Sequence, residues 1–183
     1  MVYFFDTSSL VALARYYHPF DKDGQLFDFV RNKFHNKEIV ILDAILNEAR
    51  FTSKGIALKA YPFLGEQKDL IVNTKEMMPY STKKFDNMVD KNFAVAALVN
   101  NGKWNYSIMK QQFLNSGDGK LILTMYNRLH EDKATKICIV TEESRAGNDG
   151  KIFKKIPALC EFVGAECITL VDFLEATSFH VDM

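Results

Sequence analysis

Short apolar runs recur along this chain at intervals that leave room for a helix between one and the next. Val2 to Phe5, EIVIL at 38–42, LIVNT at 70–74, KICIV at 136–140 and ECITL at 166–170 carry the β-branched and aromatic residues of buried strands. Between them the apolar residues change period. Leu10, Val11, Leu13 and Ala14 recur at helical spacing, as do Leu121, Ile122, Met125, Tyr126 and Leu129 within GDGKLILTMYNRLHED. Helices are expected near 8–16 and 23–36, in DAILNEARF, over 81–101 and 105–115, over 117–132, over 156–164 and from about Val171. Pro157 opens the helix at 156–164 and Gly164 closes it. Short buried strands alternating with helices predict an α/β fold. The form expected is a three-layer α/β/α sandwich around a mostly parallel sheet of about five strands. Ligands of such sheets bind beyond the carboxyl ends of the strands.

The 183 residues suffice for one domain spanning 1–183, and no repeat or Pro/Gly-rich linker divides them. No apolar run approaches the roughly 20 residues of a membrane span, and the first residues lack the pattern of a signal peptide. Cys138, Cys160 and Cys167 are odd in number and form no CxxC pair. They read as reduced core residues of a cytoplasmic protein, which argues against a zinc site. Formal net charge is zero, yet residues 50–120 hold 11 Lys and Arg against 6 Asp and Glu. Such an excess can track a phosphate backbone or simply solvate a helical face. Glycine-rich nucleotide loops are absent.

The strand ends carry acids. Asp6 follows the first strand directly, and Glu48 lies in the helix after the second. Asp118 opens the helix at 117–132, and Glu142 and Glu143 follow the fourth strand in IVTEES. Each has an ordinary explanation. Asp6 and Asp118 suit helix caps, Glu48 a solvent-facing helical position, Glu142 and Glu143 loop charges. Thr7 or Ser8 could cap the first helix and leave Asp6 free. Four carboxylates meeting at one sheet edge would repel strongly, and a hard divalent cation, Mg²⁺ or Mn²⁺, resolves that conflict.

The succession FFDTSSL, ILDAILNEAR, GDGKLILTMYNRL and CIVTEES resembles a PIN domain, the fold of the VapC-type ribonuclease toxins. The ending KIPALCEFVGAECITLVDFLE resembles an uncharacterised PIN-like branch. The likeness covers nearly the whole chain, with extra length between 53 and 117. It implies an acidic site of Asp6, Glu48, Asp118 and Glu143, with Thr141 as the motif threonine. The chain departs from that pattern in having Glu at the fourth position, where most members have Asp, and GDGK where Asp-Ala is usual. Glu142 is the alternative fourth acid, and Asn148 or Asp149 could contribute.

The resemblance implies a metal-dependent ribonuclease hydrolysing RNA phosphodiester bonds. Asp6, Asp118 and Glu143, or Glu142, would hold Mg²⁺ or Mn²⁺, and Glu48 would complete the set or orient the water. A bound ion lowers the pKa of its water and stabilises charge on the scissile phosphate. Thr7, Ser8 and Thr141 would orient the carboxylates. RNA is the implied partner, together with an antitoxin protein and a second copy in a homodimer. Lys83, Lys84 and Lys120 are candidate phosphate contacts. His18, His35, His130 and His180 lie in loops or polar stretches and take no part. Two rivals remain. A HAD-type phosphatase also opens on a strand ending in Asp, but it needs a second Asp two residues on, where this chain has Ser8. A PIN-like scaffold that binds RNA or a protein without cutting needs no such residue.

Overall fold

A computed structural model describes residues 1–102, 105–132 and 134–179. The chain opens with β1 (Val2–Phe5), then α1 (Thr7–Ala12), which continues through a π-helical turn at Leu13–Tyr17. Next come α2 (Gln25–His35), β2 (Ile39–Val40) and α3 (Asp43–Phe51), then the short helices α4 (Ile56–Ala60) and α5 (Phe63–Glu66). The middle segment folds as α6 (Thr82–Met88), α7 (Ala96–Asn100) and α8 (Tyr106–Asn115). The long α9 (Gly117–Glu131), β3 (Ile137–Val140), α10 (Ile156–Val163), β4 (Glu166–Ile168) and α11 (Leu170–Ala176) complete the fold.

The four strands form one sheet in the order β2-β1-β3-β4, with all three pairings parallel. Helices cover both faces in a three-layer α/β/α arrangement. Phe4, Phe5, Cys138, Ile139 and Val140 are buried in the central strands, as two-sided cover requires. Phe5 pairs with Val140, so β1 and β3 end level and Asp6 stands beside Thr141. That register sets the position of the site.

Two expected elements differ. LIVNT does not add a fifth strand among the described residues; it makes a single parallel bridge, Leu42 to Val72. β2 has only two residues before α3 begins, so little strand remains for LIVNT to pair with. The Asp43 carboxylate then accepts the N–H of Thr74 at 3.0 Å and turns the segment away. The helix expected over 81–101 is also interrupted. After a π-helical stretch at Val89–Phe93, Ala94 bridges antiparallel to Phe153, and Val95 N–H donates to the Ile152 carbonyl at 2.8 Å. A tertiary pairing thus overrides local helix propensity.

The three cysteines are free, two of them buried. His35 and His130 lie on helices rather than in loops, and His18 lies in a 3₁₀ turn against Tyr61. His180 falls outside the described residues. Among the described residues no helix is long and apolar enough to cross a membrane.

Candidate active site

An open pocket of about 630 Å³ lies at the carboxyl edge of the sheet, and Asp6, Glu48, Asp118, Glu142 and Glu143 all line it. The acids come from four places in the chain: the β1–α1 junction, α3, α9 and the loop after β3. Asp6 sits between β1 and α1, only 3 % exposed. One carboxylate oxygen accepts the Thr7 N–H at 2.6 Å. The other accepts the Ser8 hydroxyl at 2.6 Å and the Thr141 hydroxyl at 3.0 Å. The cap of α1 is therefore Asp6 itself, not Thr7 or Ser8. Capping and facing the pocket are compatible because a carboxylate oxygen has more than one lone pair.

The same device recurs. Glu48 Oε1 accepts the N–H of Gly117, the first residue of α9, at 2.6 Å, while the Thr7 hydroxyl donates to its Oε2 at 3.0 Å. Glu143 accepts the N–H of Ile156, the first residue of α10, at 2.8 Å. Glu142 accepts the N–H of Leu170, the first residue of α11, at 2.8 Å. Four acids thus take the first free N–H of four helices, where the helix dipole favours negative charge.

Asp118 stands apart. It occupies the second position of α9, and among the described residues no hydrogen bond reaches its carboxylate. Burial, followed by the charges of Asp6, Glu143 and Glu48, raises its pKa from 3.8 to about 7, against a small opposing effect of Lys151. Its neighbours are glycines by necessity. A methyl group at Gly117 would lie 2.6 Å from the Glu48 carboxylate, and one at Gly119 would lie 1.9 Å from the Phe113 carbonyl oxygen. GDG brings α9 against both Glu48 and the end of α8.

An all-oxygen carboxylate set under mutual repulsion has the donor chemistry of a Mg²⁺ or Mn²⁺ site. Among the described residues, however, no group of three or more His, Cys, Asp or Glu side chains is gathered closely enough to hold one ion as it stands. Glu142 is exposed and turned to α11, whereas Glu143 is half-buried and acts on Asp118. Asn148 donates to the Lys151 carbonyl, and Asp149 pairs with Lys155 at 2.9 Å.

The lysines expected to contact phosphate lie elsewhere. Lys120 is buried in α9, and Lys83 and Lys84 sit on α6 away from the pocket lining. The cations that do line it are Arg15 and Lys151, with Tyr16 beside Arg15. The sequence held a signal for two of these. Ser8, Val11, Ala12, Arg15 and Tyr16 fall at the spacing of one helical face and all line the pocket.

A parallel α/β sheet with an acid-lined pocket at its carboxyl edge defines the class of protein. The chain belongs to the family described as domain of unknown function (DUF4411), whose model matches residues 3–181. No curated protein and no solved structure matches it.

Proposed function

We propose that this protein is a PIN-type, divalent-metal-dependent ribonuclease. The observation that carries the reading is the gathering of Asp6, Glu48, Asp118 and Glu143 around one pocket at the carboxyl edge of the sheet, where burial and the other three acids raise the Asp118 pKa to about 7. A group of carboxylates that cannot all ionise comfortably is poised to take up a cation. Asp6, Asp118 and Glu143 would hold Mg²⁺ or Mn²⁺, and the ion would supply an activated water and charge neutralisation at the phosphate. Glu48 would complete the set or orient the water. Ser8 and Thr141 hold the Asp6 carboxylate, and Thr7 holds that of Glu48. Glu143 rather than Glu142 is the fourth acid, because it acts on Asp118.

The test is cleavage of several RNA types by purified protein in Mg²⁺ and in Mn²⁺. Asp6→Asn and Asp118→Asn should lose more than the roughly 10- to 100-fold that removing a supporting partner of a metal ligand costs. Wild type cutting no faster than either variant on every RNA would end the reading.

A second reading is a PIN-like scaffold that binds RNA or a protein without cutting. It is favoured by the looseness of the carboxylate set and by the N–H groups that already engage Glu48 and Glu143. On that reading, calorimetry should detect no binding of Mg²⁺ or Mn²⁺ at pH 8.

A further inference from the structure

The acidic pocket by itself repels a polyanion, so an RNA strand needs cations and stacking surfaces on the pocket rim. Arg15 and Tyr16 supply both at one place. They lie in the π-helical turn that follows α1, a device that recurs at functional sites. Tyr16 is 61 % exposed although it is large and aromatic, and the Arg15 guanidinium lies 5.9 Å from its ring centre. Phe51, 85 % exposed, ends α3 immediately before Thr52, which also lines the pocket.

The backbone beneath this rim is strained. Ser53 and Lys54 both adopt left-handed φ values, 51° and 59°, although neither is glycine. Such a pair persists only where its surroundings hold it. Here the Ser53 hydroxyl accepts a hydrogen bond from Arg15 Nη2 at 2.6 Å. Among the described residues no carboxylate forms an ion pair with Arg15. Its charge therefore stays available on the rim.

We propose that Arg15 and Tyr16 form the binding lip for a single-stranded RNA segment, with Tyr16 stacking an unpaired base and Arg15 contacting the adjoining phosphate. The proposal rests on the ribonuclease reading for the identity of the ligand. A single strand fits better than a duplex because an exposed ring needs a free base face, which a duplex buries in its own stack. Lys151, which also lines the pocket, gives the strand a second cation and so a path over the acids.

The experiment measures anisotropy of a short fluorescein-labelled oligoadenylate on the full chain carrying Asp118→Asn, with Mg²⁺ present. Tyr16→Ala should weaken binding by about ten-fold, as loss of one stacked base does, and Tyr16→Phe should restore it. Arg15→Gln should weaken binding and reduce the salt-dependence slope by about 1. Lys136→Gln removes a charge at the opposite sheet edge and should change nothing. Each variant should give a cooperative melt well above the assay temperature, with Arg15→Gln slightly lowered by loss of its bond to Ser53, which excludes misfolding as the cause. The proposal is overturned if the strand does not bind, if the Tyr16→Ala and Arg15→Gln variants bind as tightly as their parent, or if a duplex binds as tightly as the single strand. Binding with the expected variant profile, but no cleavage by the wild type in Mg²⁺ or Mn²⁺, would sink the hydrolytic reading and leave the lip standing. Cleavage unaffected by either substitution would do the reverse.

Discussion

The two ends of the same four-stranded sheet handle charge in opposite ways. At the amino edge the strands meet helix C-termini, and Lys33, His35, Arg128 and His130 fall in the last turns of α2 and α9. Charges there stay near water. Lys33 meets Glu38 at 2.6 Å with both side chains partly exposed. At the carboxyl edge the strands meet helix N-termini, and the acids bond to the first N–H groups of α1, α9, α10 and α11. Both edges complement the helix dipoles. Only the carboxyl edge gathers like charges until one of them, Asp118, has no donor of its own among the described residues. A parallel α/β sheet thus builds an anionic pocket from ordinary capping interactions, and the fifth acid, Asp118, crowds it with charge that no cap offsets.

The closest packing at the carboxyl edge should give the largest effect. Gly119→Ala sets a Cβ 1.9 Å from a backbone oxygen that cannot move like a side chain. A loss of about 3 kcal/mol or more is expected, at the upper end of overpacking costs, measured by urea denaturation. A near-neutral result would mean that the α8–α9 junction is looser than this contact demands.

Asp6→Ala tests whether capping and repulsion coexist at one residue. It removes the α1 cap and leaves the Ser8 and Thr141 hydroxyls without their acceptor, a loss of about 2 kcal/mol. It also removes a charge that destabilises ionised Asp118. The loss should therefore be larger at pH 5, where Asp118 is protonated, than at pH 8. Equal losses at the two pH values would separate Asp6 from Asp118.

Asp118 itself carries the sign of the effect. Its folded pKa, about 7, lies above its ordinary 3.8, so the folded state binds more protons between those values. Stability contributed by the protonated form is complete below about pH 4 and is lost as pH rises to about 7. Asp118→Asn should abolish that decline and stabilise the metal-free protein at pH 8 by about 1–2 kcal/mol, discounted for the water that still reaches the side chain. Adding Mn²⁺ at pH 8 should raise the melting temperature of the wild type more than that of the variant. A stability profile flat from pH 4 to 8 would contradict the crowding of these carboxylates.

Much of this site was legible in the sequence because the strand-to-helix switch marks where an acid can sit. Asp6 after Phe5 and Glu143 after Val140 and Thr141 needed only the end of an apolar run. Glu48 and Asp118 needed the helix that follows. What escaped was whatever depends on partners distant in the chain. LIVNT has the composition of a strand, but its status depends on how many residues β2 leaves to pair. The 81–101 segment has helical period, but Phe153 from another part of the chain pairs with Ala94. Lys120 looked like a surface cation because its burial depends on what packs over α9. Arg15 and Tyr16 follow the acid by more than two helical turns, so only the face they share with Ser8 marks them as pocket residues.

The weakest effect belongs to the amino edge, and it is the control for all the others. Glu38→Gln removes the ion pair with Lys33 but leaves the backbone carbonyl of residue 38 to accept the Tyr3 N–H at 2.7 Å. A partly exposed pair contributes modestly, so the expected loss is about 0.5 kcal/mol and should shrink in high salt. If Glu38→Gln instead cost as much as Asp6→Ala, the two ends of the sheet would bury charge alike. The special character of the carboxyl edge would then rest on Asp118 alone.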